Sequence, residues 1–360
     1  MPGTPEAGIG RRERVAGLLR RQAGWCEGYG SALSALLLRS AADDVLAGGP
    51  TWAVLQPYAD EPAGSALALR FLGGVHRLAL TRRAPRLALH LPSAGGTAGP
   101  AGAAEALLAT VAEHADELRD LAARPCQTNE VGRCAALLVG FLAVADETGL
   151  PLRLLEIGAS AGLNLRWDRY GYRQPDLGWT WGPQDSPLVL DGHWTAPPPP
   201  EPAGVVVVER AGCDLAPIDP TSAEGRLTLT SFVWPDQAQR LARLRGALAA
   251  AASTPAAVAA EGLATWLPAR LAEPLPGVAT VVYSSVVAPY LSPADVEAER
   301  VTLDTAGTRA SPAAPLYRLR FEHDAAIRTF ALDLQRRPSG EVRRLATSGP
   351  HGTGISALQA

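Results

Sequence analysis

Residues 152–166 have the types and spacing expected of a ligand-binding turn. Four apolar side chains come first, as in a parallel strand buried on both faces: Leu152, Leu154, Leu155 and Ile157. Glu156 lies near the end of this predicted strand, and Gly158 and Gly162 then bracket three small residues. Such a turn lets backbone N–H groups at the start of the following helix approach a ligand closely. The spacing therefore predicts a binding turn that joins a buried strand to a helix.

The acidic residue at the strand end limits the ligands that such a turn could bind. A dinucleotide fingerprint, G-x-G-x-x-G, brings a pyrophosphate to the helix N-terminus, and a carboxylate at that place would repel it. S-adenosylmethionine has no phosphate, and its sulfonium and ammonium are electrostatically compatible with a carboxylate. The pattern E-x-G-x-S-x-G, with Ser160 where glycine is most common, resembles the first motif of class I methyltransferases. A tight strand-to-helix turn in any α/β protein is the alternative.

Five blocks of sequence together resemble one bacterial family. They are T-N-E-V-G-R at 128–133, L-L-E-I-G-A-S-A-G-L-N-L-R-W-D-R-Y at 154–170, E-R-A-G-C-D-L-A-P-I-D at 209–219, V-W-P-D at 233–236 and H-G at 351–352. With these blocks the chain is similar to the family catalogued as domain of unknown function 2332, over most of its length. Because that family has no assigned reaction, the resemblance implies an architecture and S-adenosylmethionine as cofactor, but no acceptor. Family members often have histidine where this chain has Ser284, which puts proton transfer at that position in doubt.

The resemblance also implies which residues bind the cofactor. The predicted strand 205–209 ends at Glu209, whose carboxylate could accept hydrogen bonds from both ribose hydroxyls; an ion pair with Arg210 or another cation is the alternative. Asp214 is expected in a loop that faces the site, or as a helix N-cap. Glu261 is expected near the adenine amino group. The expected cofactor-binding residues are Glu156, Gly158, Ser160, Gly162, Asn164, Glu209 and Glu261.

The carboxyl end of the predicted strand 278–284 is expected to hold the reacting groups, because open α/β sheets bind ligands at that edge. The expected catalytic residues are Ser284, Tyr290, His323 and His351. Packing and turn roles are the alternatives, since strand-end hydroxyls often bond the backbone. The expected substrate-binding residues are Asn129, Arg133, Trp167 and Tyr170. For Arg133 the alternative is a surface pair with Glu130, three positions earlier on one helix.

The periodicity of apolar residues changes near residue 150. Residues 1–150 predict a helical region that covers the pocket, with two helices in 11–46 broken near Gly28 and Gly30, one helix at 103–123 and one at 130–147. Residues 151–360 predict strands at 152–157, 205–209, 256–260, 278–284 and 315–321, helices at 236–251 and 293–300, and a final hairpin at 330–346. This alternation predicts an α/β fold with a doubly wound, Rossmann-like sheet that resembles the class I methyltransferase type.

Residues 166–204 interrupt the alternation and are rich in aromatic side chains. These are Trp167, Tyr170, Tyr172, Trp179, Trp181 and Trp194, and the segment closes with Pro197–Pro200. One interpretation is a small hairpin that packs its rings on the sheet edge. The other is a lid whose rings enclose an acceptor or face a sulfonium through cation–π attraction.

The composition limits the partners of the chain. Its 360 residues are 47% hydrophobic, which is enough for a sizeable core, and its net charge of −3 gives no bulk attraction to nucleic acid or anionic membrane. No apolar run approaches the roughly 20 residues of a membrane span, and no secretion signal is evident, so a cytoplasmic protein is expected. The four cysteines are scattered, so neither a disulfide framework nor a metal site is expected.

Together these patterns predict an S-adenosylmethionine-dependent methyltransferase that acts on a small-molecule acceptor. Because the sulfonium is already activated, the protein would contribute mainly orientation and desolvation. Two alternatives stay open. One is an enzyme of another class, lyase-like or isomerising, that binds the same cofactor or a nucleoside. The other is a non-catalytic binding module on the same fold.

Overall fold

The computed structural model describes residues 5–195, 204–338 and 340–358, and the chain divides into two compact units. The helical unit consists of residues 1–128 and 222–242, and the sheet unit consists of residues 129–221 and 243–360. This division differs from the boundary expected at residue 150. The helix at 134–148 belongs to the sheet unit because it packs on the sheet, and residues 222–242 return to the helical unit.

The described residues contain twelve α-helices. In chain order, α1 to α12 are Pro5–Gly28, Ala32–Ala47, Pro50–Leu55, Leu67–Leu80, Pro85–Ala88, Ala103–Glu113, Ala115–Ala123, Cys134–Thr148, Ala223–Ser231, Ala238–Ala251, Leu263–Arg270 and Pro293–Gly307. None of them is long and apolar enough to cross a membrane.

The two helices expected between residues 11 and 46 are confirmed as α1 and α2, with Gly30 in a left-handed conformation (φ 81°) between them. The single helix expected at 103–123 is wrong, because it is divided into α6 and α7 at His114. There the backbone leaves the helical region (φ −119°, ψ 30°), and Nε2 of His114 contacts the carbonyl oxygen of Arg83 at 3.1 Å. The helix expected at 130–147 begins later, at Cys134, and ends at Gly149 as expected.

Hydrogen bonds of buried polar groups join distant segments of the helical unit. His76 is 1% exposed, and its Nδ1 contacts the carbonyl oxygen of Ser231 at 3.0 Å while its Nε2 contacts Oγ of Ser93 at 2.6 Å. Burial lowers the pKa of His76 to about 4. In the V-W-P-D block, Asp236 accepts a hydrogen bond from the amide of Leu33 at 3.0 Å, at the start of α2. This block therefore has a structural role inside the helical unit.

The described residues contain eleven strands. In chain order, β1 to β11 are Leu152–Ile157, Gly171–Gln174, Trp179–Trp181, Val189–Asp191, Val207–Asp214, Ala257–Ala260, Ala279–Ser285, Leu316–Asp324, Thr329–Arg337, Val342–Ser348 and Ser356–Ala357. Eight of them form one sheet in the order β11-β10-β9-β8-β7-β1-β5-β6, in which β6, β5, β1, β7 and β8 are parallel. The other three form a small sheet in the order β3-β2-β4.

Most strand predictions are confirmed to within a few residues. The first strand has the expected bounds, and the expected final hairpin is the antiparallel pair β9 and β10. The strand expected at 205–209 is wrong in its extent, because β5 continues to Asp214. Alternating apolar residues of the E-R-A-G-C-D block keep the chain extended, and Ala211 and Cys213 of that block are buried.

The strand order of the main sheet reverses at β1, since β5 and β6 lie on one side of β1 and β7 and β8 on the other. Helix α8 covers one face so closely that a Cβ atom on Gly140 would lie 2.4 Å from Cδ1 of Leu319. Helices α11 and α12 pack on the opposite face, where Trp266 and Leu303 join Leu155 in one apolar cluster. The sheet unit is therefore an α/β structure with a mostly parallel sheet between helices.

The aromatic segment after β1 packs its rings in the protein interior. Trp167 stacks on Phe141 of α8 and on Trp181 of β3, with ring centroids 4.7 and 5.1 Å apart. Tyr170 is fully buried, and its hydroxyl donates to the carbonyl oxygen of Leu163 at 2.6 Å. These contacts favour the packing interpretation of the segment over a lid. Pro197–Pro200 lie outside the described residues.

Candidate functional site

The turn after β1 has a left-handed backbone, with φ values of 69° at Gly158, 52° at Ser160 and 64° at Gly162. Its first amides are bonded within the chain. Those of Gly158 and Ala159 donate to the carbonyl oxygen of Cys213 at 2.9 and 3.0 Å, and that of Ser160 donates to Oδ2 of Asp214 at 2.9 Å. Gly158 is exposed, whereas residues 159–167 are buried. A ligand could therefore reach this turn at Gly158.

The α-helix expected after the turn is wrong. Asn164–Arg169 is a short 3-10 helix, and Arg166 within it has a non-helical backbone (φ −104°, ψ 16°). The guanidinium of Arg166 donates to the carbonyl oxygens of Gly162 at 2.7 Å and of Thr254 at 2.6 Å, which ties the segment to the turn. This region therefore lacks the aligned N–H groups and the dipole of an α-helix N-terminus.

Glu156 is a buried group behind the turn. It is 2% exposed and lies beside Tyr283, its partner in the parallel pairing of β1 with β7. Burial raises the pKa of Glu156 to about 8, although Tyr283 and Asn164 lower it in part, and its Oε2 has no hydrogen-bond partner among the described residues. The carboxyl is therefore mostly protonated at neutral pH. A protonated carboxyl has no negative charge to attract a sulfonium, so the expected role of Glu156 does not agree with this state.

The acidic residue at the end of β5 is Asp214. Its Oδ2 accepts the amide of Ser160, and its Oδ1 accepts the amide of Ala216 at 2.9 Å. Glu209 is paired with Arg153 across the β1 ladder, far from this strand end. It forms ion pairs with Arg153, at 2.9 Å, and with Arg270. The expectation that Glu209 ends the strand is therefore wrong. The alternative, an ion pair with a neighbouring cation, is present.

A partly exposed surface lies where β1, β5, β6 and β7 end, and we call it the carboxyl-edge surface. It comprises Gly158, Asp214, Leu215, Glu261 and Val287. Leu215 is 83% exposed directly after Asp214, and Glu261 is exposed directly after β6. Val287 lies against the turn, since a Cβ atom on Gly158 would lie 2.6 Å from its Cγ2. The surface therefore combines two carboxylates with apolar groups at the reversal of strand order.

The loop after β7 contains a strained residue on the other side of this reversal. Val286 has a φ of 58°, a region that β-branched residues avoid. Its amide donates to the carbonyl oxygen of Phe321 at 2.8 Å, and Oε1 of Glu322 accepts the amide of Val287 at 2.9 Å, so β8 holds the loop in place. Val286 and Ser160 are two of the five non-glycine residues described with positive φ. Such strain concentrates at functional sites.

Arg133 joins the T-N-E-V-G-R block to the end of β7 and to the residue before the H-G block. It is 8% exposed, and it donates from Nε to the carbonyl oxygen of Pro350 at 3.0 Å and from Nη1 to that of Ser285 at 3.0 Å. Glu130 accepts the amide of Gly132 at 3.0 Å, so it caps the short 3-10 helix Val131–Arg133 that precedes α8. Arg133 is thus a buried group that fixes the end of β7 against the segment that precedes the H-G block, and the surface-pair alternative is wrong for it.

Asn129 and Asn164 also join neighbouring segments. Oδ1 of Asn129 accepts the amide of Leu163 at 3.0 Å. Asn164 is 2% exposed, and its Oδ1 accepts a hydrogen bond from Sγ of Cys134 at 3.2 Å. Both residues lie beside the turn, as expected, but these contacts are with the chain itself.

The C-terminal H-G block packs on the start of α8 through glycine. A Cβ atom on Gly352 would lie 2.1 Å from the carbonyl oxygen of Gly132, so the two backbones could not approach with any larger residue. The carbonyl oxygen of Gly352 contacts Nδ1 of His193, which is 1% exposed. That contact requires a proton on Nδ1 and makes Nε2 the acceptor, and Nε2 has no partner among the described residues.

His193 was not among the expected site residues, because a single histidine in an aromatic-rich segment gives no pattern. Burial, and then the neighbouring Arg243 cation, lower the pKa of His193 to about 4, so its imidazole is neutral at physiological pH. It is a buried, unpaired proton acceptor on the same side of the sheet unit as the start of α8.

The four expected catalytic residues have different surroundings. Oγ of Ser284 accepts a hydrogen bond from Nη2 of Arg318 at 2.7 Å, and Arg318 pairs with Glu299 of α12, so this serine supports the packing of a helix. Tyr290 is 49% exposed. His323 packs edge to face on Phe330, with centroids 5.3 Å apart. The carbonyl oxygen of His351 lies against Gly132. The contact with Arg318 favours the structural alternative for Ser284.

No group of three or more histidine, cysteine, aspartate or glutamate side chains is placed to hold a metal ion in residues 5–195, 204–338 and 340–358. The cysteines in the described ranges are free thiols, and burial raises the pKa of Cys213, beside the turn, to about 12. That thiol is therefore protonated and inert at physiological pH.

The fold and the carboxyl-edge surface define the chain as an α/β protein with a mostly parallel sheet and a partly exposed polar and apolar surface at the reversal of strand order. A family model described as an uncharacterized protein conserved in bacteria, DUF2332, matches residues 16–356. The chain belongs to this family, as the five sequence blocks predicted. No curated protein and no solved structure matches the chain.

Proposed function

We propose that the sheet unit is a Rossmann-like domain of the class I methyltransferase type and binds S-adenosylmethionine at the carboxyl-edge surface. Numbered in chain order, the five parallel strands β6-β5-β1-β7-β8 have the order 3-2-1-4-5, and β9 continues the sheet antiparallel to β8. Dinucleotide-binding sheets begin with the same five-strand order, and they bind ligands at the carboxyl ends of the strands where the order reverses. The exposed Gly158 and the strained Val286 lie on the two sides of that reversal.

The hydrogen bonds of the turn indicate which kind of ligand this surface could bind. Because the amides of Gly158, Ala159 and Ser160 are bonded to Cys213 and Asp214, they are not directed at a pyrophosphate. The two exposed or half-exposed carboxylates nearby, Asp214 and Glu261, would also repel phosphate. A nucleoside with a positively charged tail and no phosphate suits this surface. S-adenosylmethionine has that chemistry.

The residues present fit the adenosyl group in part. Asp214, rather than Glu209, stands at the strand end where a carboxylate could accept the ribose hydroxyls. Leu215, which is 83% exposed, would provide apolar surface for the adenine ring. Glu261 at the end of β6 could accept the adenine amino group. Glu156, Asn164 and Gly162 support the turn from the interior rather than contact the ligand.

When bound, S-adenosylmethionine supplies a methyl group on an activated sulfonium. The tasks of this chain would be to orient an acceptor beside the end of β7 and to exclude water there. Tyr290, half exposed in that loop, is placed to contact a small acceptor. Since Ser284 is bonded to Arg318, we favour a carboxylate or unprotonated amine acceptor, whose lone pair attacks without a protein base. The net charge of −3 supports a small molecule over nucleic acid.

Calorimetric titration of the full chain with S-adenosylmethionine and with S-adenosylhomocysteine tests this function. Asp214→Asn should weaken binding by about tenfold or more, since a charged hydrogen bond contributes about 1.5–3 kcal/mol. Glu209→Gln is the matched control, because the same chemical change is made on the same strand away from its carboxyl end. It should leave affinity unchanged.

Three results are possible. Binding that is lost in Asp214→Asn, together with production of S-adenosylhomocysteine in cell extract detected by mass spectrometry, supports the proposal. Binding with an unchanged cofactor indicates a lyase-like or isomerising enzyme, or a binding module. Failure of the unmodified chain to bind either compound would exclude the cofactor altogether.

A further inference from the structure

Residues 286–290, which we call the β7 loop, have a conformation that needs support from outside the loop. Val286 has a left-handed backbone (φ 58°), which is unfavourable for a β-branched residue. Ala288–Tyr290 form a single turn of 3-10 helix, and all three residues are exposed. A strained residue followed by one exposed turn keeps a single conformation only where neighbouring elements fix it.

That support comes from two residues near the end of β8. The amide of Val286 donates to the carbonyl oxygen of Phe321 at 2.8 Å. Oε1 of Glu322 accepts the amides of Val287 at 2.9 Å and of Ala288 at 3.3 Å. Three consecutive amides of the β7 loop are therefore bonded to β8, and the side chain of Glu322 accepts two of them.

The two bonds to Glu322 do not depend on its charge state. Burial raises the pKa of Glu322, and the two bonded amides and then the guanidinium groups of Arg318 and Arg320 lower it in part. Oε1 can accept both N–H groups whether the carboxyl is ionised or has its proton on Oε2. The bonds to the β7 loop are therefore expected in either state.

The β7 loop also contacts the turn after β1. Val287 is 8% exposed and lies in the apolar cluster that contains Ile157. A Cβ atom on Gly158 would lie 2.6 Å from Cγ2 of Val287, so the contact requires glycine. Gly158 is the exposed residue of the turn, and movement of Val287 would therefore change the surface that a ligand meets there.

We propose that Glu322 is a positioning residue for the carboxyl-edge surface, which holds the β7 loop in the strained conformation that places Val287 against Gly158. This inference rests on the function proposed above, since the ligand is S-adenosylmethionine. Glu322 acts on binding through the loop, by setting the fraction of molecules in which the loop is already ordered. The apparent affinity of a ligand that requires the ordered loop is reduced by that fraction.

Hydrogen exchange of the full chain without ligand tests the ordering of the loop. In Glu322→Ala two loop amides lose their acceptor, so peptides that cover residues 286–291 should exchange at least about tenfold faster than in the unmodified chain. Glu322→Gln retains a carbonyl oxygen that can accept both amides, so it should restore slow exchange. Asp324→Ala is the matched control on the same strand, because Oδ1 of Asp324 accepts the amide of Ala326 at 2.9 Å in the next loop. It should leave exchange in residues 286–291 unchanged.

Calorimetric titration with S-adenosylmethionine tests the effect on binding. Glu322→Ala should weaken binding by about fivefold to tenfold, as expected if the loop is ordered in about 10–20% of the molecules. Glu322→Gln and Asp324→Ala should bind like the unmodified chain. Urea unfolding of the same variants measures their stability, and a merely structural role of Glu322 would lower stability without this loss of affinity.

Faster exchange together with weaker binding in Glu322→Ala, both restored in Glu322→Gln, supports the proposal. It is overturned if exchange of the loop is unchanged in Glu322→Ala, or if this variant binds S-adenosylmethionine as tightly as the unmodified chain. Failure of the unmodified chain to bind is a different result, because it removes the function proposed above and this inference with it.

Discussion

Two buried histidines show how the two units of this protein differ. In the helical unit both ring nitrogens of His76 have partners, Ser231 and Ser93. In the sheet unit Nδ1 of His193 contacts Gly352, but Nε2 has no partner among the described residues. Burial lowers the pKa of both to about 4. Two histidines in the same charge state therefore differ in whether their hydrogen bonding is complete.

The carboxyl edge of the sheet unit combines an incompletely bonded buried group with strained backbone. Oε2 of Glu156 has no hydrogen-bond partner among the described residues, and Ser160 and Val286 have left-handed backbones in the loops after β1 and β7. The helical unit also has buried oxygens without described partners, at Ser34 and Thr51. Incomplete hydrogen bonding and strain cost stability, and they persist where function requires them or where water completes the bonding. At the carboxyl edge of the sheet unit the unpaired oxygen of Glu156 and two strained residues occur together, which is the arrangement expected of a functional site.

The largest expected effect concerns the charge state of Glu156. Its pKa is 4.5 in the unfolded chain and about 8 in the folded one, so the folded protein keeps a proton that the unfolded chain loses between these values. The folded state is therefore destabilised as the pH rises through this window. Glu156→Gln cannot lose a proton, so its stability relative to the unmodified chain should increase by about 1.4 kcal/mol per pH unit, or about 4 kcal/mol between pH 5 and 8.

Urea unfolding of both proteins at pH 5, 6, 7 and 8 measures this slope. Glu341→Gln is the control, since Glu341 is exposed and its variant should show no such trend. A stability difference for Glu156→Gln that does not change with pH would show that this carboxyl is ionised in the folded protein. That result would contradict the prediction.

A smaller effect is expected from replacing the two histidines by phenylalanine, a residue of similar shape. His76→Phe leaves two partners unpaired and should cost about 2–4 kcal/mol, whereas His193→Phe leaves only the carbonyl oxygen of Gly352 and should cost about 1–2 kcal/mol. Denaturant unfolding at pH 7.5 gives both values. Equal losses would indicate that Nε2 of His193 has a partner, such as an ordered water, and the comparison would fail.

The smallest effect is expected at the strained loop after β7. Val286→Gly should stabilise the protein by about 1 kcal/mol by relieving the left-handed backbone, while weakening S-adenosylmethionine binding about threefold because the loop becomes less ordered. Arg82→Gly is the matched control, since Arg82 has the same backbone (φ 62°) in the helical unit. It should gain similar stability with unchanged affinity. Unchanged affinity in Val286→Gly would show that the strained backbone at this residue has no role in binding S-adenosylmethionine.

The central part of the fold was predictable because its residues are constrained by local pattern. The apolar run at 152–157 can be buried on both faces, and it forms β1 with the predicted bounds. Gly149 ends α8 in a left-handed conformation, as its position predicts. The break between α6 and α7 was not predictable, because the contact of His114 with Arg83 joins residues that are 31 positions apart.

The site residues were less predictable for the same reason. Glu156 has the motif position of a cofactor ligand, but its burial against Tyr283 gives it a protonated, interior state. In the sequence, Glu209 resembles an acid at the end of a strand. In the structure β5 continues to Asp214, and the parallel register pairs Glu209 with Arg153. Leu215 and His193 became candidates through their exposure and their unpaired nitrogen, which no local pattern encodes.

The sequence by itself determined the family, the buried first strand and the left-handed turn, because apolar spacing and glycine act over a few neighbouring residues. The tertiary structure decided which acids face outward, which are protonated and which are paired with arginine. Those properties depend on solvent exposure and on neighbours that are distant in the chain, and they exist only once the strands are in register.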